Sequence, residues 1–113
     1  MTRGAPADVD GVLAALADPT RRRLLEVLGR HPASCATALA GHVPVSRQAV
    51  VKHLAVLERC RLVASHRRGR EVLFSVRPDA LTATGSWMTE LAASWEERLQ
   101  ALKRQAEAGP GGA

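Results

Sequence analysis

The stretch from Ser46 to Val63 constrains the fold more than any other part of the chain. Ser46 is a good helix N-cap, because its hydroxyl can accept a hydrogen bond from the first free backbone amides. Val50, Leu54 and Leu57 follow at i, i+4 and i+7 spacing, so one side of the helix is expected to face a core. The remaining residues of the first turns have side chains that reach phosphates and base edges: Arg47, Gln48, Val51, Lys52 and His53. This pattern is typical of a helix that reads DNA, and Ser46 is expected to contribute to the DNA-binding face together with these residues.

The charge of the chain favours an anionic partner. The 113 residues suit one domain, with a net charge of +5 and a pI of about 10.6. Residues 41–70 hold seven Arg or Lys and one acid, whereas residues 79–113 hold three basic residues and five acids. An anion-binding surface is therefore expected from the middle of the chain. Composition alone leaves DNA, RNA and an anionic membrane surface open.

The cellular location of the protein is inferred from three features that its sequence lacks: a disulfide pattern, a membrane helix and a signal peptide. Cys35 and Cys60 form neither a CxxC motif nor a dense disulfide pattern. No apolar run reaches the roughly 18 residues of a membrane helix, and the N-terminus has no signal-peptide core. We expect a cytoplasmic protein with reduced thiols and no membrane partner.

Three helices are predicted before the fourth one at Ser46. Residues 1–7 are expected to be disordered, and Asp8 or Asp10 can cap the first helix. Asp18-Pro19 is a strong start for the second helix. A short third helix is expected from Ser34 or Cys35 to about Val43, followed by the turn Pro44-Val45. A helix, a short turn and a second helix with a polar face make a helix-turn-helix.

A hairpin is predicted after the fourth helix. Residues 62–68 and 71–76 have strand-like composition and flank Gly69-Arg70. A two-stranded hairpin alone is marginal, so it must pack on the helices. The fold class is therefore α+β, mostly α: a winged helix with the tip Arg67-Arg68-Gly69-Arg70.

A long final helix is predicted from the spacing of its apolar residues. Trp87, Leu91, Trp95, Leu99 and Leu102 recur every three or four positions. A domain of this size can hardly bury two tryptophans along an exposed helix. We therefore expect a dimer interface with the partner's last and first helices. A ligand pocket lined by the tryptophans is the alternative. The expected interface residues are Val9, Leu13, Trp87, Leu91, Trp95 and Leu99. The domain is expected to span residues 8–105, with a disordered tail at 106–113.

These features resemble the ArsR/SmtB-type winged helix-turn-helix repressors of bacteria. Residues 16–25, 45–58, 62–63, 67–74 and 77–78 carry the resemblance, which covers about residues 9–104. The tryptophans look like the branch that generally lacks metal sites. The resemblance implies a homodimer that binds double-stranded DNA at a palindromic operator in the bacterial nucleoid and represses transcription. It implies no enzymatic activity and no cofactor, and it leaves the effector open.

Three positions depart from the family pattern. Pro44 stands where a turn glycine is expected, and Arg61 stands where glycine usually follows the recognition helix. If Arg61 keeps a left-handed conformation, the cost is on the order of 1 kcal/mol; otherwise the loop differs. Val51 replaces a Ser or Thr, so it cannot donate a hydrogen bond but can contact a thymine methyl.

Some candidate sites allow two interpretations. His53 precedes Leu54 and can either pack or contact DNA. Arg21, Arg22 and Arg23 are expected to be solvated or paired with acids, although some could touch a DNA backbone. Arg67, Arg68 and Arg70 are expected to bind phosphates or enter a minor groove, against the simpler possibility of a solvated turn.

Metal and thiol chemistry have little support in the sequence. Cys35-Ala36-Thr37 offers one thiol where a metal-sensing relative has a Cys-x-Cys pair, and no histidine follows His66. We therefore expect no metal site. The alternatives that remain are a winged-helix module that binds proteins and a metal- or thiol-responsive repressor. No nucleophile–base pair or phosphate loop suggests an enzyme.

Overall fold

The computed structural model describes residues 4–109 as five helices and one two-stranded antiparallel sheet. In chain order the elements are α1 (Val9–Leu16), α2 (Pro19–Arg30), α3 (Ala36–Ala40), α4 (Arg47–Arg59), β1 (Val63–Arg68), β2 (Glu71–Val76) and α5 (Asp79–Ala108). This order confirms the predicted winged helix-turn-helix, with α3 and α4 as its two helices and the β-hairpin as its wing.

Two helix starts form as their sequences predict. Asp18 accepts a hydrogen bond from the backbone N–H of Arg21 at 3.0 Å, and Pro19 occupies the first helical position. Ser46 accepts from the N–H of Ala49 at 3.1 Å. Each cap satisfies one of the backbone donors that a helix start leaves free. The side chain of Asp8 makes no such bond at the start of α1.

The core lies where α1, α2, α3 and α4 meet the first strand. Its fully buried leucines and valines come from every one of these elements: Val12, Leu24, Val27, Leu28, Leu39, Val50, Leu54, Leu57, Leu62 and Val63. Burying each leucine stabilises the fold by roughly 1.5–3 kcal/mol relative to exposure. The periodic residues of α4 are among them, so the predicted inner face of that helix is confirmed.

The end of α4 is fixed by two hydrogen bonds around a left-handed residue. Arg61 has a φ of 60°. Its N–H donates to the carbonyl of Glu58 at 3.0 Å, and the N–H of Leu62 donates to the carbonyl of Leu57 at 2.9 Å. This pair of bonds, with Leu57 and Leu62 both buried, is a Schellman motif. Arg61 therefore takes the conformation that glycine usually supplies, which confirms the first of the two possibilities for this position.

The wing is tied to the start of α3 as well as closed on itself. Arg68 pairs with Glu71 in the sheet register, so the loop is Gly69-Arg70, as predicted. Only the first loop residue, Gly69, has a positive φ, which is the pattern of a type II′ turn. Ser34 forms an isolated bridge with Phe74, with N–H to O distances of 3.1 and 2.9 Å. This bridge, which the sequence did not predict, gives β2 a backbone partner besides β1.

Burial along β2 does not follow its apolar alternation. Leu73 is the most buried residue of the strand, whereas Val72 is exposed. Phe74 and Val76 pack partly against the core. Leu73 and Phe74 lie on opposite faces of the strand, so both faces of the hairpin bury apolar side chains. Helices α2 and α3 contact β2, and α4 contacts β1.

Helix α5 gives the molecule its length. Its 30 residues span about 45 Å, and it packs on α1 near its start, where Ala80 and Thr84 are buried. The radius of gyration is 20.4 Å, against about 13 Å for a compact domain of this size. The helix runs without a break through Gly85 and continues to Ala108, beyond the domain end expected at 105.

Both chain ends lie partly outside the described residues. The expected disorder of residues 1–7 concerns Met1–Arg3, which are not described, and residues 4–8, which form no helix or strand. The expected disordered tail concerns residues 106–108, which are helical, and residues 110–113, which are not described.

Candidate nucleic-acid interface

The outer face of α4 presents three of the predicted reading residues together. Gln48, Val51 and Lys52 are exposed and follow one another at helical spacing, opposite the buried Val50 and Leu54. Val51 is 43% exposed, an unusual place for a branched apolar side chain on a single chain. The helix therefore offers an amide, a methyl-bearing surface and a cation side by side, which suit adenine, thymine and phosphate respectively.

Arg47 opens the same helix and is held from the side. Its Nε donates a hydrogen bond to the hydroxyl oxygen of Thr37, on α3, at 3.0 Å. Both side chains are exposed. The predicted reader Arg47 is thus on the surface of the helix-turn-helix, and it is linked to the first helix of that motif. The sequence did not predict the contact with Thr37, because a threonine and an arginine ten positions apart do not by themselves indicate a hydrogen bond.

His53 is turned away from the exposed face of α4. Its side chain is only 21% exposed, and its Nδ1 lies 3.4 Å from Nη1 of Arg21 and 3.9 Å from Oδ2 of Asp18. His53 belongs to a polar cluster where α1 meets α2, because position 53 faces the edge of the core. The side chain packs in this structure, which is one of the two interpretations open from the sequence, and its inclusion among the DNA-contacting residues stays a prediction.

The polar cluster is electrostatically biased toward a charged Asp18. The backbone N–H of Arg21 that donates to its carboxylate lowers the pKa of Asp18 below its ordinary value. Partial burial opposes this effect, while the nearby side chains of His53 and Arg21 add to it. The result is a carboxylate that both caps α2 and faces the inner side of α4.

Two arginines of the Arg21–Arg23 run cap the C-terminus of α1. Arg21 donates through Nε to the carbonyl of Ala15 at 2.7 Å and through Nη2 to that of Ala14 at 3.2 Å. Arg22 donates to the carbonyl of Leu16 at 2.6 Å. The carbonyls of Ala15 and Leu16 lie in the last turn, where a helix leaves its carbonyls without an intrahelical partner, whereas that of Ala14 also accepts from the N–H of Ala17 at 3.3 Å. Cations favour that end of the helix dipole. Arg21 therefore differs from the expectation of a solvated or acid-paired arginine, and Arg22 is exposed as expected but also donates to a backbone carbonyl. The expectation holds for Arg23, which lies 3.6 Å from Glu26.

The wing carries the second group of predicted contacts. Arg67, Arg68 and Arg70 are all exposed at or beside its tip. The wing is anchored to the reading helix, because the hydroxyl of Ser65 on β1 donates to Oε2 of Glu58 on α4 at 2.7 Å. A cationic tip fixed relative to α4 provides a second place for phosphate contacts.

Most of the predicted interface residues form an exposed apolar stripe. On α5 the stripe consists of Leu81, Met88, Leu91, Trp95, Leu99 and Leu102, and Leu13 adds to it from α1. Trp95 is 54% and Leu99 60% exposed, and the guanidinium of Arg98 lies 5.3 Å from the Trp95 ring centre. Trp87 is half-buried. Val9 is already buried within the single chain, at 2% exposure, and its place in the interface stays a prediction.

Both cysteines are free thiols and stand at helix ends. Cys35 precedes α3, and Cys60 follows α4, where an added Cβ on Gly11 would come within 3.7 Å of its sulfur. Among residues 4–109, no group of three or more His, Cys, Asp or Glu side chains is arranged to hold a metal ion. In the same range no helix is long and apolar enough to cross a membrane.

An exposed basic helix at the second position of a helix-turn-helix, beside a cationic β-wing, defines a winged-helix DNA-binding protein. Comparison with known proteins agrees. Residues 16–66 match the sequence model of a family described as a helix-turn-helix domain. The chain belongs to the ArsR/SmtB family of winged helix-turn-helix transcriptional regulators.

Individual relatives show how far the likeness extends. Over 90 residues the chain is 38% identical to the HTH-type transcriptional regulator Rv2034 of Mycobacterium tuberculosis, covering 80% of each protein. It is 29% identical over 80 residues to the transcriptional repressor SdpR of Bacillus subtilis, covering 71% of this chain and 88% of SdpR. An ArsR-like transcriptional regulator from Rhodococcus sp. RHA1 has a similar structure, with a TM-score of 0.77 and 41% identity over 87% of this chain and 92% of that one. The chain is thus a DNA-binding transcriptional regulator and not an enzyme.

Proposed function

We propose that this protein represses transcription by binding a palindromic operator as a homodimer. The observation that carries the proposal is the exposed face of α4, where Gln48, Val51 and Lys52 lie together beside Arg47. Gln pairs well with adenine, Arg with guanine, and the valine methyls with thymine, so this face has the chemistry to distinguish base sequences. A bound dimer would block polymerase, and a signal of unknown chemistry would lower its affinity. Its place of action would be the bacterial nucleoid.

The exposed stripe on α5 supports the homodimer. Isolated helices are marginal in water, and large apolar patches on a monomer usually mark an interface. Beyond Thr84, α5 buries no side chain within the described chain, although Leu91, Trp95 and Leu99 lie along one side of it. A second copy of α5 would cover that side. Two-fold symmetry would then place two copies of α4 about one helical turn of DNA apart, which is the spacing of a palindrome.

The DNA part is tested by comparing specific with random DNA. Genomic footprinting first supplies the operator. Fluorescence anisotropy at about 50 and about 200 mM salt then measures the dissociation constants for operator and random duplexes. The Arg47→Ala, Gln48→Ala double variant is expected to lose most of the preference for the operator, whereas the exposed Lys103→Ala on α5 is expected to keep it. Equal wild-type affinity for both duplexes, unchanged in the double variant, would contradict sequence-specific regulation and favour a protein-binding module.

The homodimer is tested by mass in solution. Sedimentation equilibrium is expected to give the wild-type protein twice the 12.1 kDa mass of the chain. Leu99→Glu places a charge in the stripe and is expected to give a monomer, because an unpaired charge in an apolar interface is costly. Gln100→Glu adds the same charge next to it on the exposed helix and is expected to leave the dimer intact. A wild-type monomer that still binds the operator tightly would contradict the proposed assembly.

A further inference from the structure

The contact between α3 and the first residue of α4 points to a residue that controls base readout without reading a base itself. We propose that Thr37 is a positioning residue: its hydroxyl orients Arg47 so that the guanidinium can recognise a guanine. This inference rests on the proposed sequence-specific function and adds a specificity determinant outside the recognition helix.

The geometry assigns different parts of the guanidinium to different partners. Nε of Arg47 donates to Oγ1 of Thr37 at 3.0 Å, and this is the hydrogen bond that the side chain makes within residues 4–109. An arginine has five N–H groups in a rigid fork. With Nε engaged, the four N–H groups of Nη1 and Nη2 are left, and that end of the fork matches the O6 and N7 acceptors of guanine.

The positions of the two residues are set by the core and not by a flexible loop. Thr37 stands in the first turn of α3, and Arg47 is the first helical residue of α4. The helices pack together through the fully buried Leu39 and Val50. Threonine is also stiff about χ1, because it is branched at Cβ. The acceptor oxygen is therefore presented from a fixed backbone by a side chain with few rotamers.

Holding Arg47 before DNA arrives should favour specific binding. A free arginine side chain loses rotamer freedom worth up to about 2 kcal/mol when it is immobilised. A fork already held at Nε loses less of that freedom on binding a base, which is preorganisation. An Arg47 released from Thr37 can instead turn to a phosphate, which gives affinity without sequence preference. The hydroxyl of Thr37 should thus raise selectivity more than total affinity.

The test substitutes the hydroxyl and keeps the shape. Thr37→Val removes the acceptor while preserving the branched Cβ, and Thr37→Ser keeps the acceptor. Both variants, the wild type and Arg47→Ala are first used to select binding sites from random duplexes. Their affinities are then measured for the operator and for operators in which the guanine contacted by Arg47 is replaced. Circular dichroism and thermal melting check that each variant is folded.

We expect Arg47→Ala to lose the preference for guanine at one position of each half-site. Thr37→Val should lower that same preference by at least about threefold and leave the preference at the other positions unchanged. Its affinity for random DNA should be no lower than that of the wild type, because the released Arg47 can still bind a phosphate. Thr37→Ser should restore it. In the Arg47→Ala background, Thr37→Val should have no further effect, as expected for residues acting as a pair.

Three results would overturn the inference. One is a Thr37→Val protein that keeps the full guanine preference, and another is an equal loss of affinity for all sequences, which would make Thr37 structural. The third is a guanine preference that does not depend on Arg47. A wild-type protein with no base preference at all would instead overturn the proposed function together with this inference, so the two failures are distinguishable.

Discussion

Replacing Arg61 by glycine is expected to stabilise the protein. Arg61 has a φ of 60° at the end of α4. A non-glycine residue in this conformation costs roughly 1–2 kcal/mol, because its Cβ approaches the following carbonyl oxygen. Glycine removes that cost but gives the unfolded chain more freedom, which takes back about 0.5–1 kcal/mol. The net gain should be about 0.5–1 kcal/mol, or a rise in melting temperature of about 2–4 °C for a chain of this size.

The added stability of Arg61→Gly should come from relief of backbone strain and not from the loss of a charge. The two hydrogen bonds of the motif, from Arg61 to Glu58 and from Leu62 to Leu57, use backbone atoms only, so glycine leaves them intact. Arg61→Ala is the matched control, because it removes the guanidinium but keeps the Cβ. Its stability is expected to stay within about 0.5 kcal/mol of the wild type, as for most surface substitutions.

Replacing a glycine of positive φ by alanine in the wing turn tests the same backbone strain at a second position. Gly69 has a φ of 64° in the wing turn, and an added Cβ there would meet no atom within 4 Å. Gly69→Ala should therefore destabilise the fold by about 1 kcal/mol through backbone strain alone. Urea denaturation at one fixed protein concentration measures all three variants, since assembly makes the midpoint depend on concentration. If Arg61→Gly is no more stable than Arg61→Ala, the assignment of strain to this residue is wrong.

Three further predictions concern the polar cluster, the cap of α1 and the wing. Asp18→Asn keeps a capping oxygen but removes the charge. Because the pKa of Asp18 is lowered in the folded state, the wild-type protein should be more stable than this variant above about pH 4, and the difference should vanish as pH falls below the folded-state pKa. Urea midpoints of both proteins at several pH values would show or refute this. Arg21→Ala should lower the unfolding free energy by about 1–2 kcal/mol, because the Ala15 carbonyl at the end of α1 loses its hydrogen-bond partner. Arg23→Ala, whose partner is the exposed Glu26, should change the unfolding free energy by less than about 0.5 kcal/mol. Equal effects would contradict the capping role. Arg70→Ala should reduce the log–log salt slope of DNA binding by about 0.9 for each phosphate that Arg70 neutralises, and an unchanged slope would show that this residue of the wing tip binds no phosphate.

The elements were predictable because their determinants are local. Ser46 caps α4 through an amide three residues away, and the hairpin closes at Gly69 because that residue alone must adopt a positive φ. The period of Val50, Leu54 and Leu57 defines an inner face whatever packs against it. Arg61 was recognisable as a position of possible strain through the family resemblance, because glycine usually stands there in that family. Such signals lie within a few residues and need no knowledge of the tertiary fold.

The contacts that decide side-chain roles were not predictable because they join distant parts of the chain. Ser34 pairs with Phe74, and His53 meets Arg21, across separations of 40 and 32 residues. Val9 was expected at an interface because its spacing matches Leu13, but its helix buries it within the chain. Period alone tells which residues share a face. It does not tell which of them lie at the edge of that face and meet another element of the same chain.

The reading helix shows why this distinction matters for function. Three elements other than α4 itself hold its side chains: α3 holds Arg47 through Thr37, the start of α2 approaches His53 through Arg21, and β1 holds Glu58 through Ser65. Five candidate contact residues in the sequence of α4 therefore do not make five equivalent readers. His53 is committed to the α1–α2 junction, Arg47 is restrained at one nitrogen, and only Gln48, Val51 and Lys52 have exposed side chains with no such partner among the described residues. Base selectivity should consequently depend on the packing of α3, α2 and the wing as much as on the sequence of α4, which substitutions at Thr37, Arg21 and Ser65 can test one element at a time.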